Sequence, residues 1–208
     1  MRGVMNYFKT FISAILAGAC IAFGGVAFLS VDSKVLGSAL FTVGLFTVCT
    51  FGLHLFTGKV CYTFDNGKEY AISLPIIWLG NLVGTGIVAN IVKLTRVAGI
   101  AEKADSICQI KFADSYISLF ILGILCNIFI YIGVEGYIRN PHEIGKYLSL
   151  FFGVMVFILC GTEHCVADMF YLWMAGDWSL QAVGMLLVIT LGNCVGGVIF
   201  PLVRKVIA

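Results

Sequence analysis

The chain has 208 residues, 60% of them hydrophobic and 12% charged, with a formal net charge of +2. A soluble globular domain carries roughly 25% charged and about 45–50% apolar residues, so this composition excludes an ordinary soluble domain and indicates a multi-pass membrane protein. No basic patch is present to hold a nucleic acid, and the small net charge selects no other partner.

The length accommodates roughly six helical spans of about 20 residues each with short connections. After a short basic N-terminus, Met1 to Lys9, the segment Thr10 to Leu29 reads as the first span. It is rich in small residues, which let helix backbones approach in lipid. It lacks a small-residue cleavage site followed by a polar mature sequence, so it is not read as a signal peptide. Asp32 and Lys34 mark a turn. The second span runs from about Val35 to Gly52 and ends in His54-Leu55-Phe56-Thr57-Gly58-Lys59, too polar for lipid contact. Val60 to Phe64 is apolar but too short to cross, and Asn66-Gly67 signals a surface turn. The third span is about Tyr70 to Val92. Lys93 to Lys111 is the longest polar stretch and reads as a loop. The fourth span is about Phe112 to Val134, and Glu135 to Gly145 reads as a turn. The fifth covers Lys146 to Thr162, followed by a polar break and an apolar piece to Ala175. The sixth is about Ser179 to Leu202.

Leu79-Gly80-Asn81-Leu82-Val83-Gly84 recurs 112 residues later as Leu191-Gly192-Asn193-Cys194-Val195-Gly196. Alone, that match is a common small-residue packing motif. It coincides, however, with polar breaks in spans two and five. Three spans per half is an odd number, so the halves insert in opposite orientations, a pattern that marks transporters and channels. The expected fold is therefore an all-α integral membrane protein of six transmembrane helices. It forms one domain, 1–208, with inverted halves of about 10–95 and 112–206 and broken helices two and five. Asn81 and Asn193 are expected to hold backbone groups freed near the breaks.

The second break carries Cys160, Glu163, His164, Cys165 and Asp168 beside an apolar run. Ionisable residues inside a membrane mark functional sites. His164 titrates near neutral pH, and Glu163 next to it can set the imidazole tautomer or stabilise its charged form. Cys160, His164 and Asp168, at i, i+4 and i+8, would share one face of an unbroken helix and could hold a metal, giving an alternative as a membrane metal-handling protein. The break at Gly161-Thr162 spoils that spacing, and no second cluster supplies further ligands. Eight cysteines are scattered without a CxxC pair and read as reduced, core-type thiols. No cofactor, metal or enzymatic activity is expected. A neutral-solute channel is disfavoured by the central charge. Arg2, Lys9, Lys59, Lys68, Arg139, Lys146, Arg204 and Lys205 fall on the side of the termini, against Lys34, Lys93, Arg96, Lys103 and Lys111. That excess places both termini in the cytoplasm.

Leu55-Phe56-Thr57, Leu79-Gly80-Asn81 with its repeat, Leu125-Cys126-Asn127, and Gly161-Thr162-Glu163-His164 running on to Ala167-Asp168-Met169-Phe170 resemble the formate/nitrite transporter family. The resemblance covers nearly the whole chain. It implies a homopentamer of aquaporin-like protomers in the cytoplasmic membrane, each with its own pore. The partners it implies are the lipid bilayer and a small monovalent anion or its conjugate acid, such as formate, nitrite or hydrosulfide. It also implies that Thr57 faces a central His164, with Asn127 nearby. Lys111 would lie at the start of span four, at the outer mouth, concentrating anions by field focusing. Phe41, Leu45, Leu55, Phe56 and Phe157 would form hydrophobic constrictions, with Phe56 on a mobile loop. A weak acid entering such a dry site has its own pKa raised. It could take a proton from His164 or water and cross as the neutral acid, held by Thr57. Two residues depart from the family and are expected to tune its subtype: His54 replaces an acid, and Asp168 replaces an asparagine. The segment between Thr57 and span three is also shorter than usual by roughly three helical turns.

Overall fold

The computed structural model describes residues 6–207; Arg2, counted above, lies outside them. The described residues form nine α-helices and no strand. In chain order these are α1 (Tyr7–Leu29), α2 (Lys34–Thr50), α3 (Phe56–Val60), α4 (Lys68–Lys93), α5 (Ile100–Phe112), α6 (Tyr116–Arg139), α7 (Glu143–Leu159), α8 (Cys165–Ala175) and α9 (Leu180–Ile207). A single 3-10 turn, Thr63–Asp65, joins α3 to α4. The half-helix after the first break is thus only five residues long, as the shortened segment requires.

Short polar side chains set the helix starts by accepting amides that have no partner inside the helix. Asn6 accepts from the Lys9 amide at 3.1 Å, Ser33 from Leu36 at 3.3 Å and Ser115 from Ser118 at 3.2 Å. Four helices, α1, α4, α6 and α9, are long and apolar enough to cross a membrane; α2 and α8 are shorter and apolar. Large apolar side chains such as Phe23, Leu79, Ile91, Leu125 and Leu191 stay exposed on the outside. These features describe a multi-pass membrane protein.

α1 packs along α4 and α2, and α6 along α9 and α7; α2 and α7 meet and join the two groups. The closest seams use the repeated motif. A Cβ on Gly84 would stand 2.0 Å from the Ile15 carbonyl oxygen, and one on Gly196 would stand 2.1 Å from that of Ile124. Only glycine permits α4 and α9 to lie this close to their partners.

Two expected connections differ. Lys93 to Lys111 is not all loop, because α5 occupies its second half. Ile100, Ala104, Cys108 and Lys111 are buried at helical spacing, while Glu102, Lys103 and Asp105 face outward. Polar residues on the outer face masked that period. The turn expected at Glu135 to Gly145 shrinks to residues 140–142, because α6 runs on to Arg139 and α7 begins at Glu143. An i, i+4 pair of Glu135 with Arg139 supports the last turn of α6.

The glycine seams make a direct test. Gly84→Ala and Gly196→Ala should each destabilise the protein by about 1–3 kcal/mol through overpacking. Gly99→Ala, whose added Cβ meets nothing within 4 Å, should leave the thermal midpoint in detergent unchanged. Equal midpoints for all three variants would contradict this account of the seams.

Candidate functional site

Residues 51–55 separate α2 from α3, and residues 160–164 separate α7 from α8. Each break turns on a glycine with positive φ, Gly52 at 63° and Gly161 at 68°, a conformation side chains resist. The bonds around them correspond. The Leu53 amide donates to Val48 O at 2.9 Å, and the Thr162 amide to Phe157 O at 3.1 Å. Asn81 then closes the first break: Oδ1 accepts from the Phe56 amide at 2.8 Å, and Nδ2 donates to Ala14 O at 2.8 Å and His54 O at 3.0 Å. Asn193 closes the second: Oδ1 accepts from the Cys165 amide at 2.9 Å, and Nδ2 donates to Gly123 O and Glu163 O, both at 2.8 Å. Both asparagines do the backbone work expected of them.

This bracing brings His164 and Thr57 together. His164 Nε2 lies 2.9 Å from Thr57 Oγ1, and both residues are buried. His164 is also the N-cap of α8, its Nδ1 accepting from the Ala167 amide at 3.1 Å. A ring nitrogen that accepts a hydrogen bond carries no proton, so the hydrogen resides on Nε2 and points at Thr57. The ring is neutral in this arrangement, since an N–H at Nδ1 would face the Ala167 N–H. The positive charge expected of His164 is therefore absent here. Asn127 makes no bond to His164. Its Nδ2 donates to Thr57 O at 3.1 Å and Asn193 O at 2.7 Å, fixing the backbone that presents the threonine.

Two cavities lie near this pair, the first reaching His164 and the second reaching Leu55 and Gly58 beside Thr57. One, of about 250 Å³, is lined by Phe41, Phe157, His164, Glu163, Asp168, Lys111 and Lys34 among others. The second, of about 160 Å³, is lined by Leu45, Leu55, Lys59, Tyr62 and Val134 among others. Phe41 and Leu45 are one turn apart on α2, so aromatic rings close the first cavity and leucines the second. Phe41 and Phe157 meet edge to face at 6.2 Å, and Phe157 stacks on the His164 ring at 5.6 Å. Phe56 lines neither cavity. It is buried at the start of α3 with its amide tied to Asn81.

The charged residues are arranged differently from the expectation. Lys111 is not free at a mouth but buried in the last turn of α5. It forms an ion pair with Glu163 and a second with Asp168 at 3.0 Å. Glu163 therefore serves the lysine, not the imidazole. These partners became visible only with α5, which folds Lys111 against α8. Lys34, read from sequence as a turn residue, lines the same cavity and donates to Leu159 O at 3.2 Å, with no carboxylate partner among the described residues. Its place just after the Ser33 cap was the available signal. His54 lies half-buried in the first break, at the position matching Glu163 in the second, and its Nδ1 has no partner. Cys160 is exposed on the α7 side of the break, away from an uninterrupted helix with His164. Among the described residues, no group of three or more His, Cys, Asp or Glu could hold a metal ion.

Residues 2–206 match the family model described as formate/nitrite transporter. The nitrite transporter NirC of Salmonella typhimurium is 31% identical over 215 residues, 91% of this chain and 79% of the relative. The uncharacterized transporter YrhG of Bacillus subtilis is 31% identical over 183 residues, 81% of this chain and 69% of the relative. The formate channel FocA of Haemophilus influenzae is 26% identical over 242 residues, covering 92% and 84%. Among solved structures, a pentameric formate channel with formate bound superimposes with a TM-score of 0.81 at 26% identity, covering 97% of this chain and 96% of that one. An FNT family ion channel gives 0.85 at 26% identity, covering 98% and 91%.

The buried triad predicts a non-additive response. Lys111→Met alone leaves carboxylates without a counter-charge and should destabilise by about 3–5 kcal/mol. Lys111→Met combined with Glu163→Gln and Asp168→Asn should recover most of that loss in detergent denaturation. A triple variant no more stable than Lys111→Met would show that the triad does not act as a unit.

Proposed function

The chain belongs to the formate/nitrite transporter family, and from that premise we propose that its pore runs past His164 and Thr57 and passes a small monovalent anion of the formate or nitrite class, or its conjugate acid. Family and structural neighbours alike are channels and transporters for small anions. Six spans then cross the membrane: α1, α2 with α3, α4, α6, α7 with α8, and α9. They form two inverted halves, about 10–95 and 112–206, of a single channel domain covering 1–208. The corresponding bonds at the two breaks support that division. Five protomers assemble, each with its own pore, by likeness to the pentameric formate channel. Both termini lie in the cytoplasm of a cell membrane. The excess of Lys and Arg on the side of the termini supports this orientation.

The observation that carries the reading is the buried His164–Thr57 contact, set behind the Phe41–Phe157 pair with a cavity near each residue. Lys34 draws anions toward the first cavity. Moving a bare anion through a dry aromatic gap costs tens of kcal/mol at low dielectric, so the ion must be solvated by the protein or neutralised. His164 Nε2–H and the Thr57 hydroxyl are donors placed at that gap. A hydrogen bond to a charged acceptor contributes about 1.5–3 kcal/mol, enough to help hold an anion and too little to replace its hydration. A weak acid has the second remedy as well, because a dry site favours its neutral form. As the neutral acid it passes Leu45 and Leu55 into the second cavity. Asn127 positions Thr57 rather than touching the substrate.

Flux into liposomes tests this. Formate, nitrite and hydrosulfide should enter faster as pH falls, with chloride and a neutral solute far behind. Thr57→Val should slow the weak acids about tenfold, the value of one hydrogen bond of ~1.4 kcal/mol. Undiminished flux in His164→Ala at every pH would remove the histidine from the path. A neutral solute outrunning every anion would remove the anion reading itself.

A further inference from the structure

Lys111 is held between two carboxylates at the wall of the first cavity. Glu163, Lys111 and Asp168 are 6%, 9% and 1% exposed, so bulk solvent screens them little. Glu163 makes the closer contact; Asp168 reaches Lys111 through Oδ1 at 3.0 Å, and its Oδ2 is buried with no hydrogen-bond partner. Asp168 lines the same cavity as His164 and Phe157.

With both acids ionised, the cluster bears one uncompensated negative charge in a cavity meant to receive an anion. Lys34 on α2 shares the cavity, but it is exposed, donates to Leu159 O and pairs with neither acid, so water screens it from the buried cluster. His164 is neutral, its Nδ1 engaged by the Ala167 amide. The remaining titratable groups facing Asp168 are Cys165 and Tyr171 on α8, Cys108 on α5, Cys126 on α6, and Cys194 on α9 through Cys165. Thiols and phenols are uncharged at neutral pH unless something stabilises their anions. Lys93, from α4, reaches only the far end of α8, at Trp173 O. Two carboxylates sharing one site hold a proton between them rather than both ionise. The oxygen without a partner, on the more deeply buried acid, is where that proton fits.

Building on the anion-pore reading above, we propose that Asp168 carries a proton in the resting channel and delivers it to the entering anion. The Asp168 O–H bond breaks as the substrate's O–H or S–H bond forms. The neutral acid leaves past Phe157, and the Asp168 carboxylate is held by Lys111 until a proton from cavity water restores it. Each anion then crosses with one proton. His164 and Thr57 hold the substrate, and Asp168 supplies the proton that neutralises it.

Two measurements test this on the reconstituted full-length protein. Infrared spectra at neutral pH should contain a protonated-carboxyl band that shifts when aspartate carboxyls are labelled with carbon-13, stays in place when glutamates are labelled, and vanishes in Asp168→Asn. In liposomes, the wild type should take up protons together with formate, and Asp168→Asn should slow formate entry by at least about tenfold, as the loss of a general acid does, and lose the linked proton uptake. A band absent from the wild type, or one that follows glutamate labelling, overturns the resting proton on Asp168. Wild-type flux and proton coupling in Asp168→Asn overturn the delivery step. A wild type that shows the aspartate band but conducts none of formate, nitrite and hydrosulfide overturns the anion-pore reading instead.

Discussion

A helix that breaks inside an apolar protein leaves amides and carbonyls with no water to bond, and every one must find a partner in the chain itself. Asn81 and Asn193 meet that constraint. Each side chain has one acceptor and two donor hydrogens, and each uses them on one amide and two carbonyls across three different segments. An aspartate would lack the donors, and a leucine would leave three buried groups unpaired. The site depends on these two residues without being touched by them. Once the break ends are pinned, α3 and α8 start where Thr57 and His164 can meet.

The same economy governs the histidine. One nitrogen caps α8 and the other reaches Thr57, so both have fixed roles. The cap orients the ring against Phe157 and also determines which nitrogen carries hydrogen. A ring so placed presents a hydrogen-bond donor toward Thr57 beside the Phe41–Phe157 pair. Charge is kept elsewhere, on Lys34 near the end of α7 and in the Lys111 cluster behind the aromatic pair.

Much of this was legible in the chain because membrane proteins place polar residues sparingly. His54 through Thr57 and Cys160 through Asp168 stood out against apolar runs, and the LGNxxG repeat linked them. The long apolar helices followed from hydropathy, to within a few residues at most ends. The parts that were not legible share a cause. α5 has a thin apolar stripe made of Ile100, Ala104 and Cys108, and its exposed charges dominate any local average. Without α5 there was no reason to bring Lys111, Glu163 and Asp168 together, since 52 residues separate the first two. The neutrality of His164 likewise depends on one backbone amide, that of Ala167, whose direction follows from the break and not from residue type. Sequence identifies which residues are costly to bury, but the fold determines which of them pair.

That pairing changes what Lys111 can do. A lone lysine near an anion path is an attractor, but a lysine flanked by two acids presents no net positive field. The cluster is instead a site whose charge depends on how many protons it holds. With one proton it is neutral and an anion can enter; without it, the cavity repels the species it is meant to carry. With an amide in place of Asp168 the Lys111–Glu163 pair would be balanced, but the site would have no proton to give. The acid at Asp168 therefore does more than add local polarity, because it makes entry of the anion depend on a bound proton. On the proposed mechanism, an acid in that place lets the anion pass because the proton it holds crosses with it.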